Sequence, residues 1–151
     1  MNNTNFLTES LPAAQARGTI EPPQSPPEQR PHAKPIVYAC SGCSDAGELA
    51  DRIARQLTRA GVAEMSCLAG IGGRVKSIVG RGEKAERILV IDGCPLNCAR
   101  KTLELAGFKK FDHLGLHEIG LRKGNCPVTE EHIAAGVEAA ARLVAGPIFS
   151  V

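Results

Sequence analysis

Residues 87–107 read RILVIDGCPLNCARKTLELAG. Arg87 is followed by four aliphatic residues, Ile88 to Ile91, and then by Asp92 and Gly93. A short unbroken apolar run bounded by a turn signal reads as a strand buried on both faces. Beyond Gly93 the period changes. Ala99, Leu103 and Ala106 recur at helical spacing, Pro95 suits a first helical turn, and Gly107 suits a stop. The stretch is therefore a β-strand, a cysteine-bearing loop and an α-helix in succession.

The same unit recurs on either side. IVYAC (36–40) is a β-forming run, and from Ser44 onward Leu49, Ile53 and Leu57 follow at four-residue steps. Glu48 with Arg52, and Asp51 with Arg55, are i,i+4 pairs on the wet face, and Gly61 closes that helix. Ala63 to Leu68 reads as a second strand, GIGG (70–73) as a turn, and Val75, Ile78 and Val79 as a short helix ended by Gly80 and Gly82. His113 to Ile119 reads as a fourth strand. Thr129 is an N-cap, with Glu130 and Glu131 in the first turn and Val128 able to staple onto Ile133; that helix runs to Gly146-Pro147. Strands alternating with helices imply parallel pairing through right-handed crossovers. The expectation is an α/β domain of three layers (αβα), with a four-stranded, mainly parallel sheet of flavodoxin-like or Rossmann-like order 2-1-3-4.

Composition narrows the class. The chain has 151 residues, of which 43% are hydrophobic and 23% charged, an ordinary globular mix. No run approaches the roughly 18 apolar residues of a membrane helix. Aromatics are 3% with no Trp, and the net charge is +2, so neither a base-stacking platform nor a strong phosphate-binding surface is expected, and no nucleic-acid or membrane partner. Residues 1–35 hold seven of the ten prolines (Pro12, Pro22, Pro23, Pro26, Pro27, Pro31, Pro35) and one of the sixteen glycines, Gly18. That segment reads as a disordered, Pro-rich tail that could offer a ligand to a protein partner. Residues 36–151 remain for the folded domain. The first residues lack the basic and apolar regions of a secretory signal, so a cytoplasmic protein with reduced thiols is expected.

The six cysteines are the compositional anomaly. In a parallel sheet every strand points its C-terminal end at one edge, where ligands bind. Cys40 and Cys43 end the first strand, Cys67 the second, Cys94 and Cys98 follow the third, and Cys126 lies after the fourth. Cys40-Ser41-Gly42-Cys43 is a C-x2-C pair, and Cys94 to Cys98 a C-x3-C pair. Two such pairs on neighbouring loops are the grammar of a tetrahedral four-thiolate zinc site. Cys67 is a fifth thiol, able to replace a ligand, support one, or stay free. Cys126 sits in RKGNCPV (122–128), read as exposed and basic, and is not counted as a ligand. His113 and His117, an even number apart on the fourth strand, would face the same way as surface or core residues. Asp92 would cap free N–H groups of its loop. An iron–sulfur cluster or a dithiol relay through Cys40, Cys43 and Cys67 is the alternative. No nucleophile elbow and no paired catalytic carboxylates appear, so enzymatic activity is left open.

The run Ile91-Asp92-Gly93-Cys94-Pro95-Leu96 resembles the Asp-Gly-Cys signature of the DGC-domain proteins. YACSGCSDAGELA (38–50), MSCLAGIGG (65–73) and CARKTLELAG (98–107) extend the resemblance over residues 36–145. That family is regarded as zinc-binding because of its recurrent cysteines. The resemblance implies Cys40, Cys43, Cys67, Cys94 and Cys98 as metal residues, with a structural, regulatory or sulfur-handling role.

Overall fold

The structure is a computed structural model that describes residues 33–42 and 44–147. Cys43 lies outside the described residues, and so does the expected Pro-rich tail up to position 32.

The elements run β1 (Ile36–Ala39), α1 (Asp45–Arg59), β2 (Glu64–Met65), α2 (Leu68–Gly72), α3 (Lys76–Glu83), β3 (Ile88–Asp92), α4 (Cys98–Leu105), β4 (Asp112–Gly115), a 3-10 turn (Leu116–Ile119) and α5 (Glu130–Ala145). The four strands form one sheet in the order β2-β1-β3-β4, parallel throughout. The expected α/β class and strand order are both present.

Period-2 geometry splits each strand between two cores. Val37, Ala39, Leu89 and Ile91 face one side, where Leu49, Ile53 and Leu57 of α1 and Ala139 and Ala140 of α5 cover them. Ile36, Tyr38, Ile88 and Val90 face the other, against Ile71 of α2 and Ala99 and Leu103 of α4. All five residues of β3 are buried, as the unbroken apolar run requires of a central strand covered on both faces.

Local rules explain most boundaries. Ser44 caps α1 by accepting from the Gly47 N–H at 3.2 Å, and Thr129 caps α5 by accepting from the His132 N–H at 3.2 Å. The chain leaves α1 through Gly61 at φ 72°, a conformation that suits glycine. The ion pairs Glu48–Arg52 and Asp51–Arg55 form at 3.3 and 2.6 Å. At the opposite end of the sheet Arg87 ties α5 down. It donates to Asp112 and to the carbonyls of Leu143 and Gly146, each at 2.6 Å, and so serves carbonyls at the C-terminal end of the helix.

Four expectations are corrected. The second strand, read as Ala63 to Leu68, is cut to Glu64–Met65. From Cys67 the chain turns into α2, and the GIGG segment read as a turn is largely helical. Gly70 allows this because a Cβ there would stand 2.2 Å from the Ile78 side chain, so α2 can close on α3. The third major helix begins at Cys98, and Pro95 sits in the preceding turn, closed by Asn97 N–H donating to the Cys94 carbonyl at 3.1 Å. The fourth strand stops at Gly115, which places His117 in the 3-10 turn and not beside His113 on a strand.

Candidate metal centre

The strand order reverses between β1 and β3, so the crevice above these two strands is the topological switch point of the sheet. Ala39 pairs with Ile91, and the Cys40 N–H donates to the Ile91 carbonyl at 2.8 Å. One step beyond that pairing Cys40 stands level with Asp92, two residues from Cys94. Cys40 also continues the parity of Ile36 and Tyr38, and packs against the core beneath α4. Residues far apart in sequence, Cys40 and the Cys94 loop, thus meet at one rim.

Each residue of the Asp92-Gly93-Cys94 triplet has a distinct physical task. Asp92 is fully buried. Its carboxylate accepts from the N–H groups of Ala99 (2.8 Å) and Arg100 (3.0 Å) and lies 3.0 Å from His113 Nε2. Ala99 and Arg100 carry two of the unpaired amides of the first turn of α4. The residue that would normally serve them, Asn97, is left-handed at φ 53° and makes no capping bond. Asp92 therefore caps α4 from the end of β3, accepting from amides of the helix and not, as expected, from those of its own loop. Burial pushes its carboxyl upward, but the His113 bond and the two amides outweigh that and hold it below the usual carboxylate range. A carboxylate only accepts, so His113 Nε2 carries the proton in this pair.

Gly93 makes the rim close-packed. A Cβ on it would lie 2.5 Å from the Ala46 carbonyl oxygen, and a Cβ on Gly47 would lie 2.9 Å from the Gly42 nitrogen. The β1–α1 loop, the first turn of α1 and the β3–α4 loop are stacked backbone on backbone. Gly93→Ala is expected to cost about 1–3 kcal/mol, because the obstacle is main chain and cannot rotate away. Thermal denaturation checks this, and an unchanged midpoint would contradict it.

Cys94 and Cys98 follow, Cys94 half-buried and Cys98 exposed at the first position of α4. Burial raises the Cys40 thiol above its ordinary value; the Gly93 amide opposes that, and Asp92, Cys98 and Cys94 raise it further. A rim of thiols and one carboxylate favours a cation, and a soft, thiophilic one by donor chemistry. The buried Asn97 Oδ1, between Cys94 and Cys98 in the chain, has no hydrogen-bond partner among the described residues. Among the described residues no three His, Cys, Asp or Glu side chains converge as an ion would require; Cys43, second member of the C-x2-C pair, is not among them.

Cys67 and Cys126 lie on other elements. Cys67 is exposed and caps α2, its sulfur accepting from the Gly70 N–H at 3.4 Å. It lines a cleft of about 470 Å³ with Ser41, Asp51 and Arg55 beside the end of β1. Cys126, read from sequence as exposed, is buried in the core under α1 and α5. The cause is long-range. Asp45 accepts from the N–H groups of Gly124 (2.9 Å) and Cys126 (3.3 Å) and folds the loop inward. Those bonds, Gly124 foremost, hold the Asp45 carboxyl below its usual range, and burial lifts the Cys126 thiol. Asp45 escaped the sequence reading because a residue in a helical first turn looks like a local capping charge.

Among the described residues, no helix is long and apolar enough to cross a membrane. No solved structure matches the chain. A relative from Pseudomonas aeruginosa strain PAO1, the anaerobic and virulence modulator AnvM, is 48% identical over 89 residues, covering 59% of this chain and 68% of its own length. The model of the DGC domain matches residues 36–140, the whole sheet and most of α5. The chain belongs to the DGC-domain family.

Proposed function

We propose that this DGC-domain protein is a zinc-binding regulatory module, with Cys40, Cys43, Cys94 and Cys98 holding the ion and Cys67 adjacent. The observation that carries the reading is the rim at the switch point, where pairing of β1 with β3 sets Cys40 level with Asp92, two residues from Cys94. The donor set fits the group. Four thiolates suit zinc, and the closed tetrahedral site they make is structural or regulatory in character. When bound, zinc would neutralise the thiolates and tie the β1–α1 loop to the β3–α4 loop. The chain's own contribution is to preorganise that tie: Asp92 fixes the start of α4, Gly93 lets the two loops touch, and His113 orients Asp92 from behind.

A regulatory role accords with the relative, whose name describes a modulator of anaerobic and virulence behaviour. Metal analysis of the full chain purified without added metal tests the reading. About one zinc per chain in a colourless protein is expected. A brown protein with iron and sulfide would instead establish the iron–sulfur alternative, and metal-free protein that takes up no zinc would refute both.

A further inference from the structure

A second cleft, of about 480 Å³, opens beside β4 and is lined by Arg100 and Glu104 of α4, by Phe108, Lys109 and Phe111 of the following loop, and by His113. Neither the cysteines nor the proposed cation has a part in it. Its size falls within the range of small-molecule sites, roughly 300–1,000 Å³. Its walls differ in chemistry. Phe108 and Phe111 are half-buried, their inner sides packed on the core beneath α4. The His113 ring is held in one orientation by its bond to buried Asp92. Three ring side chains thus line one space, in a protein with only four Phe, one Tyr and no Trp.

The polar lining is cationic on balance. Arg100 and Lys109 carry two positive charges and Glu104 one negative. Arg100 uses only its Nε on Glu104, at 2.8 Å. Its terminal nitrogens have no partner among the described residues, and Lys109 has no ion pair among them. Of the further carboxylates acting on Arg100, Asp92 is already served by two amides and the His113 imidazole, and Glu118 makes no hydrogen bond to the guanidinium among the described residues. A guanidinium with free terminal nitrogens is shaped to take a carboxylate through two hydrogen bonds.

We infer that this cleft is a binding site for a small aromatic monocarboxylate, its ring against Phe108, Phe111 and His113 and its carboxylate between Arg100 and Lys109. Neither group alone suffices: the rings give no preference for charge, and two surface cations hold a bare anion weakly in water.

The test uses the full chain with benzoate as probe, followed by amide chemical shifts. Saturable shifts centred on Arg100, Lys109 and Phe111 are expected, with Kd on the order of 1 mM or tighter. Acetate and benzyl alcohol should each bind at least about tenfold more weakly, since each keeps one half of the recognition. Lys109→Glu, an exposed change, should weaken benzoate by about fivefold or more at an unchanged melting temperature. Shifts that do not saturate, that centre elsewhere, that benzyl alcohol reproduces, or that survive Lys109→Glu would overturn the assignment.

Discussion

Asp92→Ala should destabilise the protein by about 1.5–5 kcal/mol, combining a lost helix cap of roughly 0.5–2 kcal/mol with a buried amide left without a partner at roughly 1–3 kcal/mol. Asp92 is fully buried, and so is Ala99, whose N–H it accepts. No neighbouring side chain replaces it, because Asn97 is turned into the left-handed region and caps nothing. A loss of that size should lower the melting temperature by on the order of 10 °C. Asp92→Asn should fall between parent and Ala. Its oxygen can still accept from Ala99, but its amide group faces the Arg100 N–H and forces His113 into the other tautomer, which nitrogen shifts of the imidazole would report. The Asp92 carboxyl is held low in the folded protein. Its contribution is therefore present above the ordinary carboxylate value near ~3.9 and is lost as pH falls through the lower folded value. The Ala variant should lack that acid-sensitive component. If Asp92→Ala melts with the parent, Asp92 does not cap α4.

Cys40→Ser and Cys94→Ser should each release most of the bound zinc and lower stability together, because a metal that binds the folded chain stabilises it by mass action. The effect reaches about 4 kcal/mol where free zinc exceeds its Kd about 1,000-fold. A strong chelator should erase the difference: parent and variants then melt close together. A simple packing defect would persist in chelator, which separates the two causes. Cys126→Ser should behave in the opposite way, keeping the metal while lowering stability, since its thiol is buried in the apolar core under α1 and α5. Equal metal content in all three variants would remove the cation from the account.

Elements with strong local signals were legible in the sequence. The β3 run, the leucine and isoleucine steps of α1, and the cap at Thr129 act within a few residues of themselves, and all are present. The order β2-β1-β3-β4 is the one expected, although parallel strands joined by helices leave a few arrangements and alternation does not choose among them. What local rules missed is set at long range. The length of β2 depends on how far β1 runs beside it, and only Ile36 and Val37 find partners there. The burial of Cys126 depends on Asp45, 81 residues away in sequence. The start of α4 depends on a cap seven residues upstream, so Pro95 pointed to a helical turn that begins only at Cys98. At the rim, the convergence of Cys40 with the Cys94 loop was readable from topology. The contact of Gly93 with the Ala46 carbonyl was not, since glycine in a loop has many uses and the neighbour comes from another helix.

Zinc-edge X-ray absorption on the full chain probes the claim most directly, because it counts the atoms around the ion. Four sulfur neighbours near ~2.3 Å are expected, falling to three in Cys94→Ser if any metal is retained. A first shell of oxygen and nitrogen atoms, or a sulfur count unchanged by the substitution, would show that the cysteines above β1 and β3 do not hold the metal together.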